Sequence, residues 1–488
     1  MLVLFILSFL ISTIHAYSKF LITCTTPPDQ INYVSSPNTR GTLDILWSCF
    51  FTIIACTWTI QHLNVPEQRN TRDSGWKQDL KWAIKSQWRN IKWMLAAMLA
   101  PEYILGKAFA DLYAAIRSKK DMEEFAHVDR VEWGLTHAFF ANMGGFVLCE
   151  KGIERSDDKG TALERQERGA GDSNQKEHKQ GEVKRDDIEL ASRTSDSLEA
   201  SKAIKDPLIS RTETVQLKYN TPFHLLASEI LALRGSEDLP KLPNITTAYL
   251  NDKGKDDLFI KLLTVFQVFW FVLQVIVRAV KGLNISQLEI AVTAFAFCAI
   301  ITYILVLPKP KGAQIPITLM EFETAIPIER LDYLHVRELQ GYIRGLFDPG
   351  EGIVDSVDIV GAAIPNDALQ PSQAIIYLHI GVTIGGVIFG TIHIAAWNFT
   401  FPTLIEQALW RAASIMSTGL LPVMYVVLLA NEFYVRVPHR FIKIWDIVFG
   451  ELYLAARLFL LVEAFRTLFY LPADAYVTTW TASVPHFS

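Results

Sequence analysis

The chain has 488 residues, half of them apolar, and a mean hydropathy of +0.21, which excludes an ordinary soluble enzyme and points to several membrane segments. Its 46 basic and 51 acidic residues leave a net charge of −5, so nothing indicates a nucleic-acid partner. The partners this composition fits are membrane lipids and, beyond them, a hydrophobic small molecule.

Five cysteines, Cys24, Cys49, Cys56, Cys149 and Cys298, lie mostly in or beside apolar runs without CxxC or Cys/His spacing. They read as core residues, with no disulfide framework and no metal site. Residues 1–16 carry an apolar core at 2–14 and predict a signal peptide cleaved after Ala16, with a signal anchor as the alternative. Residues 17–42 then form an outer N-terminal segment.

The run 43–63 (LDILWSCFFTIIACTWTIQHL) predicts a transmembrane helix. Behind it, residues 64–90 interleave Arg69, Arg72, Lys77, Lys81, Lys85 and Arg89 with Trp76, Trp82 and Trp88. Basic residues at a membrane exit mark the cytoplasmic side, and the tryptophans suit a helix lying in the interface. Residues 91–116 are apolar but interrupted by Glu102, Lys107 and Asp111, of which the last two are i,i+4 neighbours that can pair. Residues 131–149 (VEWGLTHAFFANMGGFVLC) form a second such segment. Both span, or both are re-entrant or interfacial. Arg117, Lys119, Lys120 and Arg130 between them break the charge rule if they span.

Residues 150–216 are the next region. Within 151–210 lie 12 basic and 14 acidic residues and no aromatic one, a composition that cannot bury a core and predicts disorder. From 217 to 257 helical spacing returns (FHLLASEILAL), predicting a small amphipathic cytoplasmic subdomain. Residues 258–307 predict a transmembrane hairpin turning at KGLNIS, and LPKPKG then opens a polar cytoplasmic loop over 308–371. The C-terminal region, 372–471, predicts three membrane helices, followed by an outer tail at 472–488. The expected fold is all-α: a polytopic α-helical bundle of six to eight spans with both termini lumenal or extracellular, in the endoplasmic reticulum, secretory pathway or plasma membrane.

The candidate functional residues concentrate in the run 374–397. At about 100° per residue, Thr383, Gly386, Gly390, His393 and Trp397 fall within about 40° of His379. The glycines form a small-xxx-small pair that admits a neighbouring helix or a ligand between the imidazoles. His379 and His393 are therefore candidate general acid–base groups, with Thr383, Gly386, Gly390 and Trp397 as candidate cavity lining; imidazoles merely hydrogen-bonded in a packed bundle are the competing reading. Separated by about 21 Å along a helix, the two histidines cannot share one metal ion. The intramembrane charges Glu102, Lys107, Asp111, Arg457, Glu463 and Arg466 are further candidates, because a charge at bilayer depth needs a partner or water. Glu463 and Arg466 can pair locally, and Arg457 needs a partner on another helix. Asn284 and Asn398 head outer-side sequons close to the membrane. No HExxH, GxSxG, P-loop or DDxxD stands out, so no cofactor is indicated.

The segments WTIQHLNVP (58–66), KWMLAAMLAPEYILGKAFADL (92–112), THAFFANMGGFVL (136–148), HIAAWNFTFPTLIEQALWRAASI (393–415) and RLFLLVEAFRTLFYLPADAYVTTW (457–480) carry a resemblance over nearly the whole chain. They resemble a large group of uncharacterised fungal polytopic membrane proteins, which implies architecture and no catalytic residue. Three functions compete on the sequence: an intramembrane enzyme or biosynthetic accessory for a lipidic or terpenoid-like substrate, a transporter or channel, and a structural or signalling membrane protein.

Overall fold

A computed structural model describes residues 39–68, 75–150, 222–254, 258–322, 363–369, 373–433 and 439–479. The expected signal peptide, most of the charged loop and most of the segment 308–371 lie outside these residues. The described chain is mostly helical, as the all-α expectation requires.

Five helices are long and apolar enough to cross a membrane: α1 (Thr42–Thr59), α7 (Leu258–Val280), α8 (Gln287–Val306), α9 (Ala374–Ile394) and α10 (Leu404–Phe433). Helix starts follow from local chemistry. The Ser286 hydroxyl accepts from the Glu289 amide at 3.1 Å while Glu289 accepts from the Ser286 amide at 2.8 Å, a reciprocal cap that opens α8. A sixth long helix, α11 (His439–Arg466), packs on α10 but carries Glu451, Arg457, Glu463 and Arg466.

Two further helices pack into this bundle as a hairpin. α2 (Trp76–Leu99) and α3 (Pro101–Asp129) meet at Ala100, whose backbone leaves the helical region (φ −141°, ψ 71°), and Pro101 opens the new helix. Depth is read from their neighbours. Lower down, Trp82 and Arg89 of α2 face residues 64–67 and 363–367, beyond the finishing end of α1. Higher up, Ala97 packs with Cys56, Val268, Ala296 and Ala299. Met98 and Leu99 share a cavity wall with Phe295 and Phe389, well inside α8 and α9. α3 then runs back antiparallel to α9: Glu102 lies against Gly385, Gly106 against Val382, Ala110 beside Ala374, and Tyr113 stacks on Tyr377 at 3.9 Å. The pair is a helical hairpin, so 117–130 lies at the end of the bundle where α2 begins. Residues 91–116 thus fall on both arms of this helical hairpin rather than on one continuous helix.

Glycine makes the closest of these contacts possible. A Cβ on Gly106 would stand 2.6 Å from the Leu378 carbonyl oxygen, and one on Gly381 2.6 Å from the Gly106 Cα. The backbones of α3 and α9 touch there.

The second doubtful segment is not one long helix. Residues 131–149 fold as the eight-residue α4 (Leu135–Asn142) and the strand β1 (Phe146–Glu150). Eight helical residues cover about 12 Å, far short of a bilayer core. β1 pairs antiparallel with β2 (Phe223–Leu225) and parallel with β3 (Ile317–Phe322), in the order β2-β1-β3. This sheet corrects the expectation of a purely helical subdomain. With α5 (Ala227–Gly235), α6 (Thr247–Lys253) and the far end of α3 it buries a core of Met122, Trp133, Phe140, Phe146, Leu225 and Ile230. The alternating register that the sheet needs was masked in a run of consecutive apolar residues, buried on both faces.

The opposite end of the bundle is closed by polar contacts. The Arg40 guanidinium pairs with Glu289 at 2.6 Å and donates to the Ala475 carbonyl at 2.8 Å. Arg278, 2% exposed, donates to the carbonyls of Asn284, Asp474, Ala475 and Val477.

Candidate functional site

The tip of the hairpin gathers polar side chains that are far apart in sequence. Pro101 starts α3 so that Glu102, in its first turn, faces Tyr453 and Arg457 of α11. The Tyr453 hydroxyl donates to Glu102 Oε1 at 2.7 Å, and Arg457 Nη2 stands 3.5 Å from Glu102 Oε2. Arg457 also donates to the Leu99 carbonyl at 3.2 Å, whose i+4 amide, that of Tyr103, bonds the Ala100 carbonyl instead, and its guanidinium lies 3.4 Å from the Phe389 ring centre. The Phe389 ring stacks on His393 at 4.3 Å, whose carbonyl accepts from the Trp410 indole at 3.2 Å. Glu102 and His393 are 2% and 1% exposed. A cavity of about 20 Å³, lined by His393 and Arg457, adjoins the cluster. That is room for about one water.

Further along α3, towards its C-terminal end, Lys107 and Asp111 pair at 2.7 Å, and Lys309, just past α8, approaches the same carboxylate at 2.8 Å. Lys309 was not anticipated. Its place in LPKPKG reads as a solvated stop signal, whereas the turn after α8 folds it inward until only 4% is exposed. A cavity of about 30 Å³ borders this triad.

The histidine–glycine stripe lies along α10 as one antiparallel seam. His379 stacks on Tyr425 at 6.4 Å, a Cβ on Gly386 would meet Leu421 Cδ1 at 2.4 Å, and one on Gly390 would meet the Thr418 amide nitrogen at 2.5 Å. Arg411 stacks on Trp397 at 5.0 Å. Side chains of α10 fill the space beside both glycines, and Thr383 is half-buried. Both imidazoles use Nδ1 on the carbonyl four residues back, Ile375 for His379 and Phe389 for His393, each at 2.7 Å. The structure brings Glu102, Arg457 and His393 together; His379, on the neighbouring seam, stands apart from them. Arg466 contacts Glu406 and lies 3.6 Å from Glu463, joining α11 to the start of α10. Asn284 reaches Asp474 at 3.4 Å, and Asn398 is exposed. Among the described residues no group of acidic, histidine and cysteine side chains has the arrangement of a metal site.

The base of the hairpin holds a far larger space, about 500 Å³. Trp82, Lys85, Arg89, Lys92 and Trp93 of α2 form one wall; residues 64–67, Gln314 and 363–367 form the other. Asn64 ties the second wall together, its amide donating to Asn366 Oδ1 at 2.6 Å and its side chain to the Pro365 carbonyl at 2.9 Å. Lys85 pairs with Glu67 at 3.1 Å. Arg89 has no hydrogen bond or ion pair among the described residues, and its Nε is fully buried. Sequence reading placed this helix in the interface, but it could not see the wall opposite.

The model of a family of unknown function (DUF8562) matches residues 10–167 and 224–327, more than half of the chain. No curated protein and no solved structure matches.

Proposed function

We propose, for a chain that belongs to this family of unknown function, a multi-pass membrane protein that takes a lipidic molecule from the bilayer at the base of its re-entrant hairpin, as an enzyme of lipid chemistry or an accessory to one. In this reading α1, α7, α8, α9, α10 and α11 span and the hairpin enters from the cytoplasmic side. Both termini lie outside, since 117–130, Lys309 and Lys311 share the basic end. The re-entrant path removes the break in the charge rule that two spans would have made.

The observation that carries the reading is the cavity of about 500 Å³, within the range of about 300–1,000 Å³ common for small-ligand sites, beside a helix that carries a stripe of exposed apolar side chains along its length. The tip cluster then serves to hold the hairpin in hydrocarbon, where an unpaired Glu102 or Arg457 is costly. Of the two histidines, His393 is the acid–base candidate, since it borders free volume beside Arg457. A pathway for ions is less well supported: the spaces that Arg457 and the Lys107–Asp111–Lys309 triad line hold about 20 and 30 Å³. Untargeted lipid profiling of a strain lacking the gene tests the proposal. A changed lipid species, restored by the intact chain, is expected. An unchanged lipidome with a changed ion or pH gradient would falsify it in favour of transport.

A further inference from the structure

Resting on the lipid reading above, we propose that the cavity at the hairpin base holds the monoanionic phosphodiester headgroup of a bilayer lipid against Arg89, with the acyl chains along the outer face of α2. Three features of one helix carry this.

The first is charge. Among the described residues, Lys85, Arg89 and Lys92 line the cavity with Glu67 and Asp367, three cations to two carboxylates, a surplus of one positive charge in the lining. Lys85 is engaged by Glu67, and Arg89 is the guanidinium without a partner among the described residues. A single negative charge balances the site, and a guanidinium fork matches two oxygens of a phosphate.

The second is the apolar track beside it. Trp76, Leu80, Ile84, Trp88, Ile91, Leu95 and Leu99 are all exposed, between 37% and 72%, at spacings of three and four residues. They make one unbroken stripe from the interface to the tip. At about 100° per residue, Lys81, Lys85, Arg89 and Lys92 lie about a quarter-turn round from it. A chain lying on Ile84, Trp88, Ile91 and Leu95 therefore brings its head to the cavity mouth without crossing a polar wall.

The third is size. A carboxylate needs a small fraction of about 500 Å³, a space that has room for a phosphodiester bearing a polar group. Trp82 and Trp93 in the wall are the side chains that settle at headgroup depth.

The test is native mass spectrometry of the full chain in detergent, with equal phosphatidylglycerol and phosphatidylcholine of matched chains. A basic residue is worth about 1 kcal/mol towards an anionic headgroup, so retention should favour phosphatidylglycerol about fivefold. Arg89→Gln should bring the ratio to about one, Arg89→Lys should keep part of it, and Lys119→Gln, exposed on α3, should leave it unchanged. Thermal unfolding of each variant checks that the fold is intact, and Arg89→Lys supplies the comparison if Arg89→Gln is unstable. Equal retention of both lipids by the unaltered chain overturns the headgroup assignment and leaves the lipid reading standing. Retention of neither lipid overturns both. Displacement of phosphatidylglycerol by inorganic phosphate alone assigns the site to a soluble anion and overturns the lipid source.

Discussion

Single residues divide into those that set helix spacing and those that anchor charge. Gly390→Leu drives a side chain into the Thr418 backbone and should cost about 1–3 kcal/mol in detergent thermal unfolding. Gly419→Ala on the facing helix meets nothing within 4 Å and should instead gain about 0.5–1 kcal/mol. Equal effects of the two would contradict the seam. Arg457→Met strands Glu102 in a buried site and should cost about 3–5 kcal/mol, most of it recovered when Glu102→Gln is added. A double-mutant cycle with no coupling would break the assignment of the pair. In the subdomain, Arg234 donates to Asp129 at 2.8 and 3.0 Å and holds that carboxyl below its usual range. The lowered value means that the pair stabilises the fold above about pH 4 and loses this as pH falls through the native value. Acid titration should therefore loosen α5 from α3, and Asp129→Asn should abolish that pH dependence.

At the scale of elements, the long apolar helices were legible because hydrocarbon demands some twenty apolar residues in a row. The Lys107–Asp111 pair followed from helix spacing alone, and the requirement that Arg457 find a partner elsewhere followed from the cost of a bare charge. What could not be read was which helix supplied it. Glu102 and Arg457 are separated by some 350 positions, and only the break at Ala100 turns one towards the other. The signal for the α3–α9 contact was present in Gly381, Gly385 and Gly106, a second small-residue face beside the one singled out. The hairpin makes its own prediction. Cysteines placed at Lys77 and at Lys119 should react with an impermeant maleimide from the same side of sealed vesicles, and one at Leu283 from the other. Labelling of Lys77 and Lys119 positions from opposite faces would mean that the segment crosses.

For the molecule as a whole, β1 and β2 form a hairpin in space, with Leu148 opposite Phe223. Their ends therefore lie close enough for a short turn. Replacing residues 155–205 by a few polar residues should leave the thermal midpoint of the full chain within experimental error. Degradation of the shortened chain in cells that accumulate the intact one would show that the segment has a structural duty. The expectation drawn from the composition of 151–210 falls outside the described residues, and this deletion is what tests it.

The parallel pairing of β1 with β3 bears on the order of biosynthesis. Phe146 leaves the ribosome roughly 170 residues before Ile317, its partner, and both α7 and α8 are made in between. On the proposed topology the central strand waits, with one edge unpaired, until two apolar helices have been inserted into the bilayer. On that topology, their correct insertion is what returns the chain to the side where β3 can seal that edge. A nascent chain stalled before residue 317 should be the form that chaperones and quality-control proteases bind, and the sheet doubles as a checkpoint on membrane integration.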